Sequence, residues 1–378
     1  MASIWSFPTR VVFGAGEAAR TGEEARSFGI ERALVLTDTG VVRAGILDPI
    51  LDSLAKAGVV ATVFDAVEAN PTEANIEDAS RAYAKASANG AIAVGGGSVL
   101  DAAKLVVLRA KVSLSFEELD DAIDGGKHIP ASLPPVIALP TTAGTGSEVG
   151  RSGVLTVRST GRKTVVFAPA LIPRVAILDP ALTRSMPART TAATGFDALT
   201  HCLEAYVSKG DHPMADAVAL GGLELVARHL KDAVHRGDDL EARGGMMKAA
   251  MMGALAFQKG LGACHSLAHP LSSECGLHHG LANALCLPAV VEFNESVVHE
   301  KLGRIARIFG GNGSAGSCAA VLRDLRAAVG LPGRLSELGV EASVLPKLAD
   351  LAFKDACHTS NPRPCTRDDL FGLYERAF

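Results

Sequence analysis

"GAIAVGGGSVLDAAK", residues 90–104, reads as a strand, a glycine turn and the opening of a helix. The apolar run "AIAV" supplies the strand, three glycines the turn, and the remainder the start of the helix. The same alternation runs through the first half of the chain. "RVVFG" (10–14), "RALVLTD" (32–38), "VVATVFD" (59–65), "PVIALPTT" (135–142) and "VAILDP" (175–180) are further short β-type runs. Between some of them lie "GILDPILDSLAKAG" (45–58) and "TEANIEDASRAYAKA" (72–86), with apolar residues at helical spacing. Such alternation predicts a parallel sheet covered by helices, with ligands bound at the carboxyl ends of the strands.

After about residue 185 the β-type runs stop. Long helical patterns follow at 188–208, 212–237, 242–260, 317–330 and 343–354. The change falls near "LDPALTRSMPART" (178–190), where two prolines interrupt the pattern. The expected organisation is an α/β domain over 1–185 and an all-helical domain over 186–378. Clefts between domains commonly hold active sites.

Composition narrows the function. The 378 residues are enough for two domains, and 48% hydrophobic content lets each bury a core. A net charge of −4 gives no electrostatic case for nucleic acid or an anionic membrane, and 4% aromatic content argues against a base-stacking platform. No basic-then-apolar leader and no run of about 18 apolar residues is seen. The seven cysteines form no CxxC pair, which suits reduced thiols and a cytoplasmic setting.

Three glycine loops compete for a nucleotide. "GAGEAA" (14–19) matches the dinucleotide fingerprint, with Asp38 roughly 20 residues on. Matches this short are commonly ordinary turns. "GGGSVLDAAK" (95–104) places side-chain-free backbone and a helix N-terminus where a phosphate is favoured. "PTTAGTGSEV" (140–149) is dense in hydroxyls and glycines and also follows a strand. Two such loops at strand ends favour one extended ligand, a dinucleotide. Asp38 ends the strand "ALVLT" and suits ribose hydroxyls; its charge would repel a 2′-phosphate, so NAD is expected over NADP.

The second half carries the metal chemistry. "GACHSLAHPLSSECGLHHG" (262–280) holds four of the eleven histidines, with His265 and His269 one helical turn apart. "GFDALTHCLEAY" (195–206) sets Asp197 and His201 at the same spacing. One carboxylate with imidazoles suits a divalent Fe, Zn, Mn or Co ion. Spacing alone does not choose among His269, His278 and His279.

These motifs, with "FGAG" (13–16), "NPT" (70–72) and "NPRP" (361–364), make the chain resemble the iron-containing (group III) alcohol dehydrogenases over essentially its whole length. The resemblance implies a dehydroquinate-synthase-like fold: an α/β dinucleotide-binding domain followed by an all-α domain. Carried over by position, it implies Asp197, His201, His265 and His279 as ligands of Fe²⁺ or Zn²⁺, and His269 as a catalytic residue beside the nicotinamide. It assigns NAD to Asp38, Asn70, Gly96, Gly97, Ser98, Asp101, Thr141, Thr142, Thr145 and Lys163, and leaves "GAGEAA" without that role. A dimer or larger homo-oligomer is expected.

The implied reaction is reversible hydride transfer between a small primary alcohol and NAD. Two departures, Gly150–Arg151 after "GSEV" and "HPLSS" for "HPLG", fall on the substrate side. Arg151 and Lys259 are cations near that side in sequence, with Phe257 beside Lys259, and a cation there would suit a hydroxy acid such as 4-hydroxybutyrate. The alternatives are a maleylacetate reductase, a lyase of the dehydroquinate synthase type, and a non-catalytic NAD- and metal-binding protein.

Overall fold

The structure is a computed structural model that describes residues 9–159, 161 and 163–378. The first eight residues, on which the leader reading falls, lie outside it. The chain forms two compact units: one runs through Thr142 and resumes at Gly146–Ser185, the other joins Ala143–Thr145 to Met186–Phe378.

The first unit is built on eight strands: β1 (Arg10–Phe13), β2 (Arg32–Leu36), β3 (Val60–Phe64), β4 (Gly90–Gly95), β5 (Val136–Pro140), β6 (Ser152–Thr156), β7 (Lys163–Phe167) and β8 (Val175–Leu178). Its helices are α1 (Thr21–Ser27), α2 (Thr39–Arg43), α3 (Asp48–Lys56), α4 (Glu73–Lys85) and α5 (Gly97–Arg109). The six expected β-type runs form one parallel sheet in the order β1-β8-β5-β4-β2-β3. Strands β4, β5 and β8 are buried along their whole length, as a sheet covered on both faces requires. Apolar clusters fill both sides, one including α4 and α5, the other α1 and α3.

The β6–β7 antiparallel hairpin was not among the expected strands. Its alternating burial packs one face inward, and Gly153 lets it approach Leu105 of α5: a Cβ there would lie 2.8 Å from that side chain. The alternation is short, which is why it reads weakly in sequence.

The second unit is helical: α6 (Ala188–Val207), α7 (Pro213–His235), α8 (Leu240–Ala256), α9 (Ala263–Cys275), α10 (His279–Ile308), α11 (Gly316–Ala328), α12 (Leu345–Lys354) and α13 (Arg367–Ala377). Helix α6 is its axis, with every residue from Thr191 to Val207 buried. Helix α10 is long and apolar enough to cross a membrane, yet 72% of its apolar window is buried inside the protein, as in a core helix. Helix α9 stops where Gly276 takes the left-handed conformation (φ 67°), which glycine adopts without steric cost.

Candidate active site

Because α6 is buried all round, its polar side chains must find partners inside the protein. Asp197, His201 and Glu204 follow one another at four and three residues, so they share one face of the helix. Helix α9 brings His265, and α10 begins with His279. Donor atoms of Asp197, His265 and His279 all lie within 4.8 Å of one another. His201 stands beside them, its ring stacked on that of His265 with centroids 4.6 Å apart. Gly280, next to His279, allows the close approach of α10 to α6: a Cβ there would meet the Ala193 carbonyl oxygen at 2.1 Å.

The donor set fits a divalent transition metal. His201 Nδ1 and His265 Nε2 are buried and without hydrogen-bond partners, which costs stability unless something accepts their lone pairs. Burial pushes the His201 imidazole down to about 4, against the pull of Asp197, so it is neutral at neutral pH. Burial likewise holds His279 well below the ordinary range. Burial opposes the charge of Asp197, but His201, His279 and His265 outweigh it and hold the carboxyl below its usual range. A neutral imidazole and an ionised carboxylate are the forms that bind metal.

Two further residues complete this centre and escaped the sequence reading. Glu204 accepts a 2.6 Å hydrogen bond from His265 Nδ1 and another of 2.6 Å from the Cys264 amide. That contact fixes the tautomer of His265, leaving Nε2 as the free donor atom. Burial disfavours the His265 cation, yet the Glu204 hydrogen bond and charge win and raise its pKa. Asn283, fully buried, donates to Asp197 Oδ1 at 2.9 Å and orients it. Both were visible as spacings, Glu204 seven residues after Asp197 and Asn283 four after His279, had the helical faces been extended.

His269 is held differently. Its Nδ1–H donates to Asp355 Oδ2 at 2.7 Å, and its ring stacks on that of His279 with centroids 5.2 Å apart. Phe257, at the end of α8, lies 5.2 Å from the His201 ring. His278 occupies the N-cap position of α10 without a side-chain capping hydrogen bond.

Lys259 does not offer a free cation. Its ammonium is almost fully buried and donates to the Tyr206 carbonyl at 3.0 Å and to Asp216 at 2.5 Å. Both bonds anchor the turn before α9 to α6 and α7. The expectation that Lys259 binds substrate is corrected on this ground: a buried, paired ammonium has no charge to spare.

The nucleotide residues gather in the first unit. The chain moves outward from β2 to β3, then returns across β2 to β4 and β5, so the topological switch lies between β2 and β4. Ligands bind outside the carboxyl ends of strands at such points. Asp38 follows β2, and Gly96 and Gly97 follow β4 into the N-terminus of α5. Asp38 also caps α2, with one oxygen accepting from the Gly40 and Val41 amides. Thr141 donates its amide to Gly95, and Thr142 touches the space where a Gly96 side chain would stand. Ser98 accepts from the Asn70 amide at 3.2 Å, and Lys163 donates to Asn70 Oδ1 at 2.7 Å. Thr145 groups instead with the helical unit. "GAGEAA" is an ordinary turn at the sheet edge; its Ala18 amide is already taken by Asp179 at 3.0 Å.

Asp101 is held by the Ser147 hydroxyl and the Val154 amide. Lys104, fully buried, links Ser147 Oγ (2.6 Å) and the Ser152 carbonyl (2.8 Å), tying α5 to the loop after β5. Burial lowers the Lys104 pKa against the pull of Asp101, and raises that of nearby Glu148 to about 7.

The strand-switch site of the first unit and the buried carboxylate–imidazole cluster of the second are the features of a metal-dependent, nucleotide-linked enzyme. Family models for iron-containing alcohol dehydrogenases match residues 8–180 and, for the C-terminal part, 191–378. The 4-hydroxybutyrate dehydrogenase of Cupriavidus necator is 38% identical, with 100% of both chains covered. A 1,3-propanediol oxidoreductase structure superposes with a TM-score of 0.95 at 35% identity, covering 100% of both chains. A sulfoacetaldehyde reductase from Bifidobacterium kashiwanohense, solved with NAD⁺, gives 0.91 at 30% identity over 99% of this chain and 98% of that one. The chain belongs to the iron-containing alcohol dehydrogenase family.

Proposed function

We propose that this NAD-linked, iron-containing alcohol dehydrogenase interconverts small primary alcohols and their aldehydes, with an ω-hydroxy acid and its semialdehyde as the preferred pair. The observation carrying the preference is Arg151. Its guanidinium lies 5.2 Å over the Phe167 ring and has no carboxylate partner among the described residues. An arginine over an aromatic ring, with no carboxylate partner among the described residues, suits bidentate pairing with a substrate carboxylate. The 4-hydroxybutyrate relative acts on a substrate of that kind by its name.

Asp197, His201, His265 and His279 would hold the iron, with Glu204 and Asn283 fixing the first and third of these donors. When bound, the iron supplies Lewis acidity at the substrate oxygen and NAD supplies the hydride acceptor. Asp355 holds the proton of His269 on Nδ1, leaving Nε2 to take up or release the proton of the alcohol. Gly96, Gly97 and the N-terminus of α5 receive the pyrophosphate. Asp38 takes ribose hydroxyls, favouring NAD.

The test is metal add-back. Protein purified anaerobically and stripped with a chelator should regain NADH oxidation with Fe²⁺, fastest with semialdehydes among neutral aldehydes, semialdehydes and maleylacetate. NAD binding without net turnover would favour the lyase or non-catalytic reading. Arg151→Glu should raise KM for acidic substrates about tenfold or more while leaving neutral aldehydes little changed. An equal effect on both would remove Arg151 from substrate recognition. We place this activity in a cytoplasmic homo-oligomer, testable by fractionation and by the mass of the native particle.

A further inference from the structure

A second set of donors lies next to the first. Donor atoms of His269, Asp355 and Cys357 all fall within 4.8 Å of one another. The three are brought together by a pinned segment. Asp355 Oδ1 accepts from the Ser266 hydroxyl at 2.7 Å and from the Cys357 amide at 2.9 Å, and Ser266 in turn accepts from the His358 amide at 2.8 Å. Oδ2 is thereby turned to His269 Nδ1. A preset carboxylate, an imidazole and a thiol are what a three-ligand site needs, and second-layer hydrogen bonds of this kind orient such ligands.

The donors also select the ion. Tetrahedral zinc places its ligand atoms about 3–4 Å apart, within side-chain rotation of the spacing here. Thiolate sulfur favours zinc and its heavier congener cadmium over harder ions, whereas Asp197 and its imidazoles present only nitrogen and oxygen. Burial, then the charge of Asp355, pushes the Cys357 thiol well up. The free thiol is therefore protonated and a poor nucleophile, so oxidation is not what its setting promotes.

We propose that His269, Asp355 and Cys357 form a second cation site for a thiophilic divalent ion such as zinc, and that its occupation inhibits the enzyme. Binding replaces the thiol proton, which goes to water. The His269 proton passes from Nδ1 to Nε2 by exchange with water, and no electrons move. The ion captures Nδ1 from Asp355 and leaves Nε2 protonated, so His269 can neither accept a proton there nor release one without becoming an imidazolate. The His269 side chain is 36% exposed, which gives the ion a path in and an open coordination position for water.

The experiment titrates iron-loaded protein with Cd²⁺ anaerobically, without NAD or substrate, and follows the ultraviolet sulfur-to-cadmium charge-transfer band. One saturating equivalent with retained iron is expected. Cys357→Ser should abolish the band, and His269→Gln should weaken binding about tenfold or more. No band, or a band that survives Cys357→Ser through the half-buried Cys275 or Cys365, overturns the proposal. Should Cys357→Ser not fold, unchanged affinity in His269→Gln overturns it. Zn²⁺ should also inhibit NADH oxidation by the iron-loaded wild type, and failure to do so removes the inhibitory role. Because the band needs no turnover, its absence is distinguishable from a wrong assignment of the reaction.

Discussion

Asp197→Ala is expected to purify without iron and with NADH-linked turnover reduced about 10³-fold or more, while NAD affinity is unchanged. The carboxylate is the only anionic donor in its cluster, and the several kcal/mol of Lewis-acid stabilisation depends on the ion it holds. Its removal also strips Asn283 Nδ2 of its 2.9 Å acceptor. All the nucleotide residues but Thr145 lie in the other compact unit and make none of these contacts. Metal analysis, NADH fluorescence titration and steady-state rates check the three parts separately. Normal turnover would remove Asp197 from the ligand set.

Glu204→Gln should weaken iron binding by about 10–100-fold, the usual cost of losing the outer partner of a ligating histidine. The change preserves shape but exchanges one acceptor oxygen for a donor. Glu204 receives three N–H groups: those of Cys264, His265 and the His265 ring. An amide cannot serve them all. If its NH₂ faces the ring, His265 must put its proton on Nε2, where the metal should bind. Iron affinity measured by competition with a chelator reads this directly. Unchanged affinity would show that His265 is oriented by packing alone.

The two predictions rest on residues of different legibility. The six strands could be read because buried parallel strands are short apolar runs, and the long helices because their apolar positions recur at helical spacing. Asp197, His201 and His265 stood out as polar residues inside such patterns. Glu204 carries the same signal one turn farther along α6, but a glutamate in a helical pattern is usually solvated and so does not stand out. Asp355 carried none: it lies in a loop 86 residues after His269, and only the folded chain brings them to 2.7 Å. Lys259 misled because closeness in sequence to His265 says nothing about where its ammonium points. Asp216, on another helix, had already claimed it.

The lone pairs left on buried His201 and His265 have a thermodynamic consequence. An ion that binds only the native chain adds RT ln(1 + [M]/Kd) to its stability, about 2.7 kcal/mol at a hundredfold excess over Kd. Its donors come from α6, α9 and α10, so the same ion cross-links segments far apart in sequence. The melting temperature of this protein thus becomes a gauge of free iron. Scarcity of the metal silences the enzyme and, at the same time, loosens the helices that would otherwise resist proteolysis.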